Sequence, residues 1–398
     1  MEKIKELSGG LENANMFKYA AIECGIRYEN RLDFSLIYSD KPCWAAGVFT
    51  TNKFCAAPVI LCRERIKNTI HAVVINATNA NAATGKQGYD NAKLLAAELA
   101  KILSIDEKTV LMASTGIIGV QLPVEKMKKK LPILVKNLNI ESGKLLPTAI
   151  MTTDTFPKQY ALSFETSTGI YTIAGIAKGA GMIAPDMATL LCFVVTDFPL
   201  QQRLLQKLFT SSIAVSLNAI TIDGDMSTND TAILLSPAIH TKHTHADIDI
   251  FNNALTMMMK RLAYLIVSDA EGATKCVTIK VVGAANDSDA KIAAKSIAES
   301  LLVKTAIFGN DPNWGRIACA AGYSGAELRE DKLSIYFEDI SLFKNGSPVN
   351  FDKDRLIDIL KRKEYTIIID FGIGKSSFEY LTSDLSYEYV KINAEYST

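Results

Sequence analysis

Short apolar runs that read as strands alternate along this chain with stretches whose apolar residues recur every three or four positions. That alternation restricts the fold to sheets flanked by helices, an α/β (α+β) class with layered sheets. The clearest helix is expected over 246–267, where Ile248, Phe251, Leu255, Met258, Leu262 and Leu265 form one stripe. The consecutive Met257, Met258 and Met259 read as core filling plus one exposed side chain. Further helices are expected over 91–104, after Pro123, and over 199–216, 289–302 and 352–363. The run Lys126, Lys128, Lys129, Lys130 reads as a solvated helix face. Strands are expected over 72–75, 110–114, 171–176, 190–195, 333–337, 366–369 and 386–392. Leu32, Phe34, Leu36 and Tyr38 share one parity, the pattern of a half-buried strand.

The chain has 398 residues, which at roughly 150 residues per domain implies two or three domains. The pattern restarts near residue 280. The expected organisation is therefore a larger α/β domain over 1–280 and a smaller α+β C-terminal domain over 281–398. There are 43 Lys+Arg against 43 Asp+Glu, so no electrostatic footprint for nucleic acid or an anionic membrane arises. The N-terminal residues carry no apolar stretch of a signal peptide. No uncharged apolar run reaches the roughly 18 residues of a spanning helix. Seven cysteines at irregular spacing, with no CxxC pair, argue for a reducing compartment and against a disulfide framework or zinc knuckle.

Only four histidines occur in the whole chain. Three of them, His240, His243 and His245, cluster with Thr and Lys between them in a loop ahead of a helix. Zinc sites usually need four ligands on rigid elements, with partners that fix each imidazole. A metal centre is therefore not expected there. His71 opens a buried strand and reads as structural. No Gly-x-Ser-x-Gly elbow, phosphate-binding loop or His-Glu-x-x-His is present.

Polar loops follow several of the apolar runs, at residues 76–85, 114–116, 152–155, 178–181, 223–230 and 310–315. Each alone is a plain turn. Together they read as one convergent polar site. The most informative stretch is Lys178-Gly-Ala-Gly-Met-Ile-Ala-Pro-Asp-Met-Ala-Thr-Leu-Leu191. Its Ala-Pro-x-Met-Ala-Thr core resembles the ornithine acetyltransferase family, also called glutamate N-acetyltransferase or ArgJ, whose members cleave themselves at the Ala-Thr bond. Blocks in the family order support the resemblance over essentially the whole chain: residues 45–52, 79–81, 114–119, 151–155, 223–225, 269–275, 304–309, 311–316 and 389–394. Asp186 stands where the family usually has Asn, Ala180 where Ser is frequent, and Asn310 where a small residue is common. The Asn76-Ala-Thr-Asn79 loop is looser than the family's usual Asn-Ser-Gly-Asn. The change at Asp186 lies beside the cleavage bond and bears on the rate of processing.

The resemblance implies an ArgJ/DmpA-like fold and a self-cleaving N-terminal-threonine enzyme. The matching bond here is Ala188-Thr189, which gives an α chain of residues 1–188 and a β chain of residues 189–398. A threonine hydroxyl is a weak nucleophile and needs a base. Cleavage would supply one, because the new α-amino group has an ordinary pKa of about 7.7–8.0. By resemblance, Thr189 is the nucleophile, and Thr115 (hydroxyl) and Gly116 (backbone N–H) form the oxyanion hole. Substrate contacts fall to Thr152, Lys178, Thr189, Glu271, Asn393 and Thr398. Lys178 suits a substrate carboxylate and Glu271 an ammonium. Asn393 and Thr398 are expected to fold into the site, so a C-terminal tag is expected to be harmful.

The implied reaction moves the acetyl group of N2-acetyl-L-ornithine to L-glutamate in arginine biosynthesis, in the cytoplasm. No metal or prosthetic group is implied. Acetyl-CoA remains open as a co-substrate of bifunctional members. The implied assembly is an α2β2 heterotetramer, with no nucleic-acid or membrane partner. Two other readings stay open on the residues: a self-cleaved threonine amidase or aminopeptidase, and an amino-acid-binding protein.

Overall fold

The computed structural model describes residues 3–183 and 190–395. These residues form two compact units. The first holds the described residues up to Asn218 together with Met226–Ile266, and the second holds Ala219–Asp225 and the described chain from Val267 onward. Residue 280, the boundary expected from sequence, falls inside the strand Cys276–Ala284 of the second unit.

The first unit is built on a nine-stranded mixed sheet. Its order is Ile4–Leu7, Lys158–Thr166, Gly169–Lys178, Leu191–Thr196, Thr231–Pro237, Phe34–Phe49, Ile70–Asn76 and Val110–Ser114, with Lys18–Ile22 also paired to Phe34–Phe49. Two pairings are parallel, Leu191–Thr196 with Thr231–Pro237 and Ile70–Asn76 with Val110–Ser114. The sheet has two apolar faces. Ile37, Val73, Ile75, Leu111, Ile176, Phe193 and Ile233 share one core. Phe34, Leu36, Ala72, Val74 and Met112 share another with Leu95, Leu99, Leu131 and Leu134 of the helices Gly85–Leu103 and Val124–Lys136.

Burial on both faces corrects the half-buried reading of the strand at Phe34. Phe34, Ser35, Leu36 and Ile37 are all buried, as in strands covered on both sides. The helix His245–Ser268 agrees with the expected stripe: Phe251, Leu255, Met258 and Leu262 are fully buried. Met257 is exposed while Met258 and Met259 are buried. This helix lies close over the strand Gly169–Lys178, because a Cβ on Gly175 would stand 3.1 Å from both Leu262 and Met258.

The second unit carries a seven-stranded sheet in the order Ser347–Pro348, Ile340–Lys344, Ser334–Phe337, Glu364–Asp370, Cys276–Ala284, Ser376–Ser383 and Ile220–Thr221. Val277, Ile279, Val281, Ile335, Ile367 and Ile369 pack from it against Ala290, Ala294 and Ile297 of the helix Asp287–Glu299. Two expectations are corrected here. The single helix over 289–302 is two, because Ser300 adopts an extended backbone and its hydroxyl caps Val303 N–H of the next helix, Leu301–Phe308. The strand over 386–392 is instead the helix Tyr387–Glu395. Its start is fixed by Ser386, whose Oγ accepts from Tyr389 N–H at 3.2 Å. Tyr387 and Val390 on this helix are exposed.

Among the described residues, no helix is long and apolar enough to cross a membrane.

Candidate active site

The first unit gathers four of the expected site residues where strands end. The strand Val110–Ser114 runs parallel to Ile70–Asn76 and stops at Thr115-Gly116. The turn is bound into the neighbouring loop: Thr115 N–H donates to Asn76 O at 3.0 Å and Ile117 N–H to Thr78 O at 3.3 Å. Between them, no hydrogen bond engages Gly116 N–H among the described residues. Gly116 has φ +133°, and a Cβ there would lie 2.1 Å from the Thr78 carbonyl carbon. Only glycine fits this close approach of two backbones. The turn therefore presents a fixed, unengaged N–H.

Thr115 is buried and receives a hydrogen bond on its Oγ1 from Lys178 Nζ at 3.3 Å. That leaves the hydroxyl hydrogen of Thr115 to donate. Lys178, the last residue of Gly169–Lys178, is itself 3% exposed. A charge this deep is costly without a counter-charge. Asp154 supplies one. Burial alone would push its carboxyl up, but the charges of Lys178 and Lys158, with the hydrogen bonds it accepts, hold it at about 2. It accepts from Lys158 Nζ at 2.7 Å, Thr152 N–H at 3.0 Å and Gly179 N–H at 2.7 Å. Both side chains of the Asp154–Lys158 pair are fully buried. One carboxylate thus fixes the loop carrying Thr152, the residue after Lys178, and the charge balance around Lys178.

The second unit brings another expected pair together. Asn393 Nδ2 donates to Glu271 Oε2 at 3.0 Å. The helix Tyr387–Glu395 is seated on that turn, since Ser386 Oγ donates to Gly272 O at 2.5 Å. Ala188, Thr189, Asp186 and Thr398 lie outside the described residues.

The histidine cluster is dispersed into packing roles. His243 Nε2 meets Pro199 O at 2.8 Å, and its ring lies 4.1 Å from that of Phe198. His240 stands edge-on to Trp44 at 6.4 Å. His71 Nδ1 meets Ser39 O at 2.9 Å. Among the described residues, no group of three His, Cys, Asp or Glu side chains is placed to hold a metal ion.

Three further residues of the first-unit site had no role in the sequence reading: Asp154, Asn229 and Asp230. All three lie in polar loops that the sequence does mark, at 152–155 and 223–230. Their partners are far along the chain or buried, and only the folded sheet reveals them.

A sequence model described as the ArgJ family matches residues 18–398. The chain belongs to the ArgJ family. It is 46% identical over 394 residues to the arginine biosynthesis bifunctional protein ArgJ of Geobacter sulfurreducens, covering 97% of this chain and 100% of that protein. The protein of the same name from Caldanaerobacter subterraneus is 43% identical over 401 residues, with 98% and 99% covered. A solved chain of the Bacillus halodurans arginine biosynthesis bifunctional protein argJ is 38% identical, covers 51% of this chain and 98% of itself, and has a TM-score of 0.49. This ArgJ-family chain is an enzyme, and the family match extends over both units.

Proposed function

We propose that the chain moves the acetyl group of N2-acetyl-L-ornithine to L-glutamate through an acetyl ester on Thr189, after cutting its own Ala188-Thr189 bond. Acetyl transfer in arginine biosynthesis is the coarser part of this reading, supported by family membership and by the names of the full-length relatives. The observation that best supports the finer part is the unengaged Gly116 N–H beside the Thr115 hydroxyl. Such paired donors suit the oxygen of a tetrahedral intermediate.

The chemistry needs two stages. First, the Thr189 hydroxyl attacks the Ala188 carbonyl, the C–N bond breaks, and an ester replaces the amide. Water opens the ester, leaving a carboxylate on Ala188 and an amine on Thr189. In the second stage that amine takes the hydroxyl proton as Thr189 attacks the acetyl carbon of N-acetylornithine. The oxyanion is held by Thr115 and Gly116. Its collapse breaks the amide C–N bond, the proton passes to the departing ornithine amine, and acetyl remains on Thr189. The neutral amine of glutamate then attacks the ester carbon, the C–O bond to Thr189 breaks, the proton lost by the attacking amine passes through the Thr189 amine to the freed hydroxyl oxygen, and N-acetylglutamate leaves. In this reading Lys178 meets a substrate carboxylate and Glu271 an ammonium, with Thr152, Asn393 and Thr398 as the further substrate contacts that the family resemblance implies. No metal or prosthetic group enters these steps. Use of acetyl-CoA, cytoplasmic location and an α2β2 assembly of cleaved chains belong to the same proposal.

The test is a denaturing gel with kinetics alongside. Wild-type protein should run as two fragments, 1–188 and 189–398, and Thr189→Ala should stay whole and transfer no acetyl group above background. N-acetylornithine should be consumed quickly only when glutamate is present. Equal acetate release with and without glutamate would replace transfer by hydrolysis.

A further inference from the structure

In the second unit, the Glu271–Asn393 hydrogen bond joins a half-buried side chain to an exposed one. Water competes for both groups, so such a bond does not fix its own geometry. The pair meets because two stretches of backbone, 122 residues apart in sequence, are held together by other means. The stretch Asp384-Leu385-Ser386, which has no assigned role in the reaction, supplies them.

Asp384 is buried and grips the chain just after Glu271. Its Oδ1 accepts from Thr274 N–H at 2.8 Å and from Lys275 N–H at 3.1 Å, and its Oδ2 accepts from the Thr274 hydroxyl. Hydrogen bonds to a carboxylate are about twice as strong as neutral ones. Ser386 grips the same turn from its other side, because its Oγ donates to Gly272 O and accepts from Tyr389 N–H. Gly272 has φ +67°, and a Cβ there would lie 2.5 Å from Tyr389 N, so the turn is pressed onto the first residues of the helix Tyr387–Glu395. Between the two grips, Leu385 N–H donates to Lys304 O at 3.3 Å. The helix that carries Asn393 begins directly after this stretch. Three consecutive residues therefore set where Glu271 stands, through its turn, and where Asn393 stands, through its helix.

We propose that Asp384 is a positioning residue for the acetyl donor: by gripping Thr274 and Lys275 it holds Glu271 in register with Asn393 to receive the side-chain ammonium of N2-acetyl-L-ornithine. The proposal rests on the reading of Glu271 as the contact for a substrate ammonium. On the donor the α-amine is acetylated, so the side-chain amine is its only cation. Glutamate ends in a carboxylate instead, and its α-amine is uncharged when it attacks. A loosened Glu271 therefore weakens use of the donor and leaves use of the acceptor intact.

The test is Asp384→Asn, which keeps one oxygen for the backbone N–H groups and removes the charge. Donor and acceptor react in separate stages, so kcat/KM for each reports its own stage. The expected result is folded protein whose kcat/KM for N2-acetyl-L-ornithine is about 10-fold lower, through KM, while kcat/KM for glutamate is no lower than wild type. Glu271→Gln should show the same split, and adding Asp384→Asn to it should lower the donor value by less than about 2-fold more. A donor value left at wild type by Asp384→Asn would overturn the proposal. So would equal losses for both substrates, or an undiminished further loss in the Glu271→Gln background, which is what a merely structural role gives. If Asp384→Asn does not fold, Thr274→Val removes only the hydroxyl bond and should give the same split at about 3-fold. No split in that variant would overturn the proposal as well. If Glu271→Gln alone leaves the donor value at wild type, the reading of Glu271 fails, and that result is seen without any change at Asp384.

Discussion

Gly116→Ala should lose about 100-fold or more in kcat, the cost of misplacing the donor that the proposed function assigns to the oxyanion. The new methyl group would stand 2.1 Å from the Thr78 carbonyl carbon and 2.4 Å from Asn79 N, at a backbone φ of +133°. Both obstacles are backbone atoms and cannot swing aside as a side chain end does. The 115–117 turn must shift to admit it, and the N–H moves with the turn. KM for N-acetylornithine should change far less than kcat, because the donor acts on charge that develops only in the transition state. Steady-state kinetics on folded protein check this. A variant with wild-type kcat would remove Gly116 from the chemistry.

The second large effect is on stability. Asp154→Ala should destabilise the protein by about 3–5 kcal/mol, the usual result of removing one partner of a buried ion pair. The variant takes away the carboxylate that faces the fully buried Lys158 and that accepts from Thr152 and Gly179. Denaturant unfolding measures the loss. A double variant, Asp154→Leu with Lys158→Met, should recover a good part of it, since matched apolar replacements avoid an orphaned buried charge. If the single variant unfolds within about 1 kcal/mol of wild type, the pair is not the anchor described here.

The same group carries a pH dependence whose sign is fixed. Its carboxyl sits at about 2 in the folded chain, below its ordinary value of 3.8. A depressed carboxyl contributes stability that is fully present above its unfolded value and is lost as pH falls through the folded one. Wild-type stability should therefore fall between about pH 4 and pH 2 more steeply than that of Asp154→Asn, as read by thermal unfolding.

Much of this architecture is legible in the sequence for reasons that can be named. Residues 110–114 are an uninterrupted run between a polar stretch and Thr115-Gly116, and they form a strand with those bounds. The stripe from Phe251 to Leu262 is long enough that its period is unambiguous, and the helix there is the longest among the described residues. The reading failed where a local signal competed with a partner elsewhere. Tyr387, Tyr389 and Val390 look like a strand, but Ser386 caps a helix and the apolar side chains at 387 and 390 face outward. Phe34 and Leu36 look one-sided until Ser35 and Ile37 are also found buried.

The site divides the same way. Thr115, Gly116 and Lys178 stand in motifs, and the first-unit sheet brings Thr115 and Lys178 into contact. Asp230 holds Leu190 across 40 residues of sequence, and Asn229 holds Ser114 across 115. No period or local spacing encodes such pairs: the parallel pairing of Leu191–Thr196 with Thr231–Pro237 creates the first, and the second reaches the end of a strand that is not a neighbour of either. Asp154 and Lys158 are four apart, which in a helix would be an ordinary surface pair. Here a loop leads into a strand and both side chains are buried.

Mass spectrometry of the denatured protein, after brief mixing with N-acetylornithine in the absence of glutamate, tests the central claim most directly. The account predicts two chains, 1–188 and 189–398, with the mass of one acetyl group on the second chain, placed at Thr189 by fragmentation and removed when glutamate is added. An active chain that stays whole, or an acetyl group carried on any other residue, would contradict it.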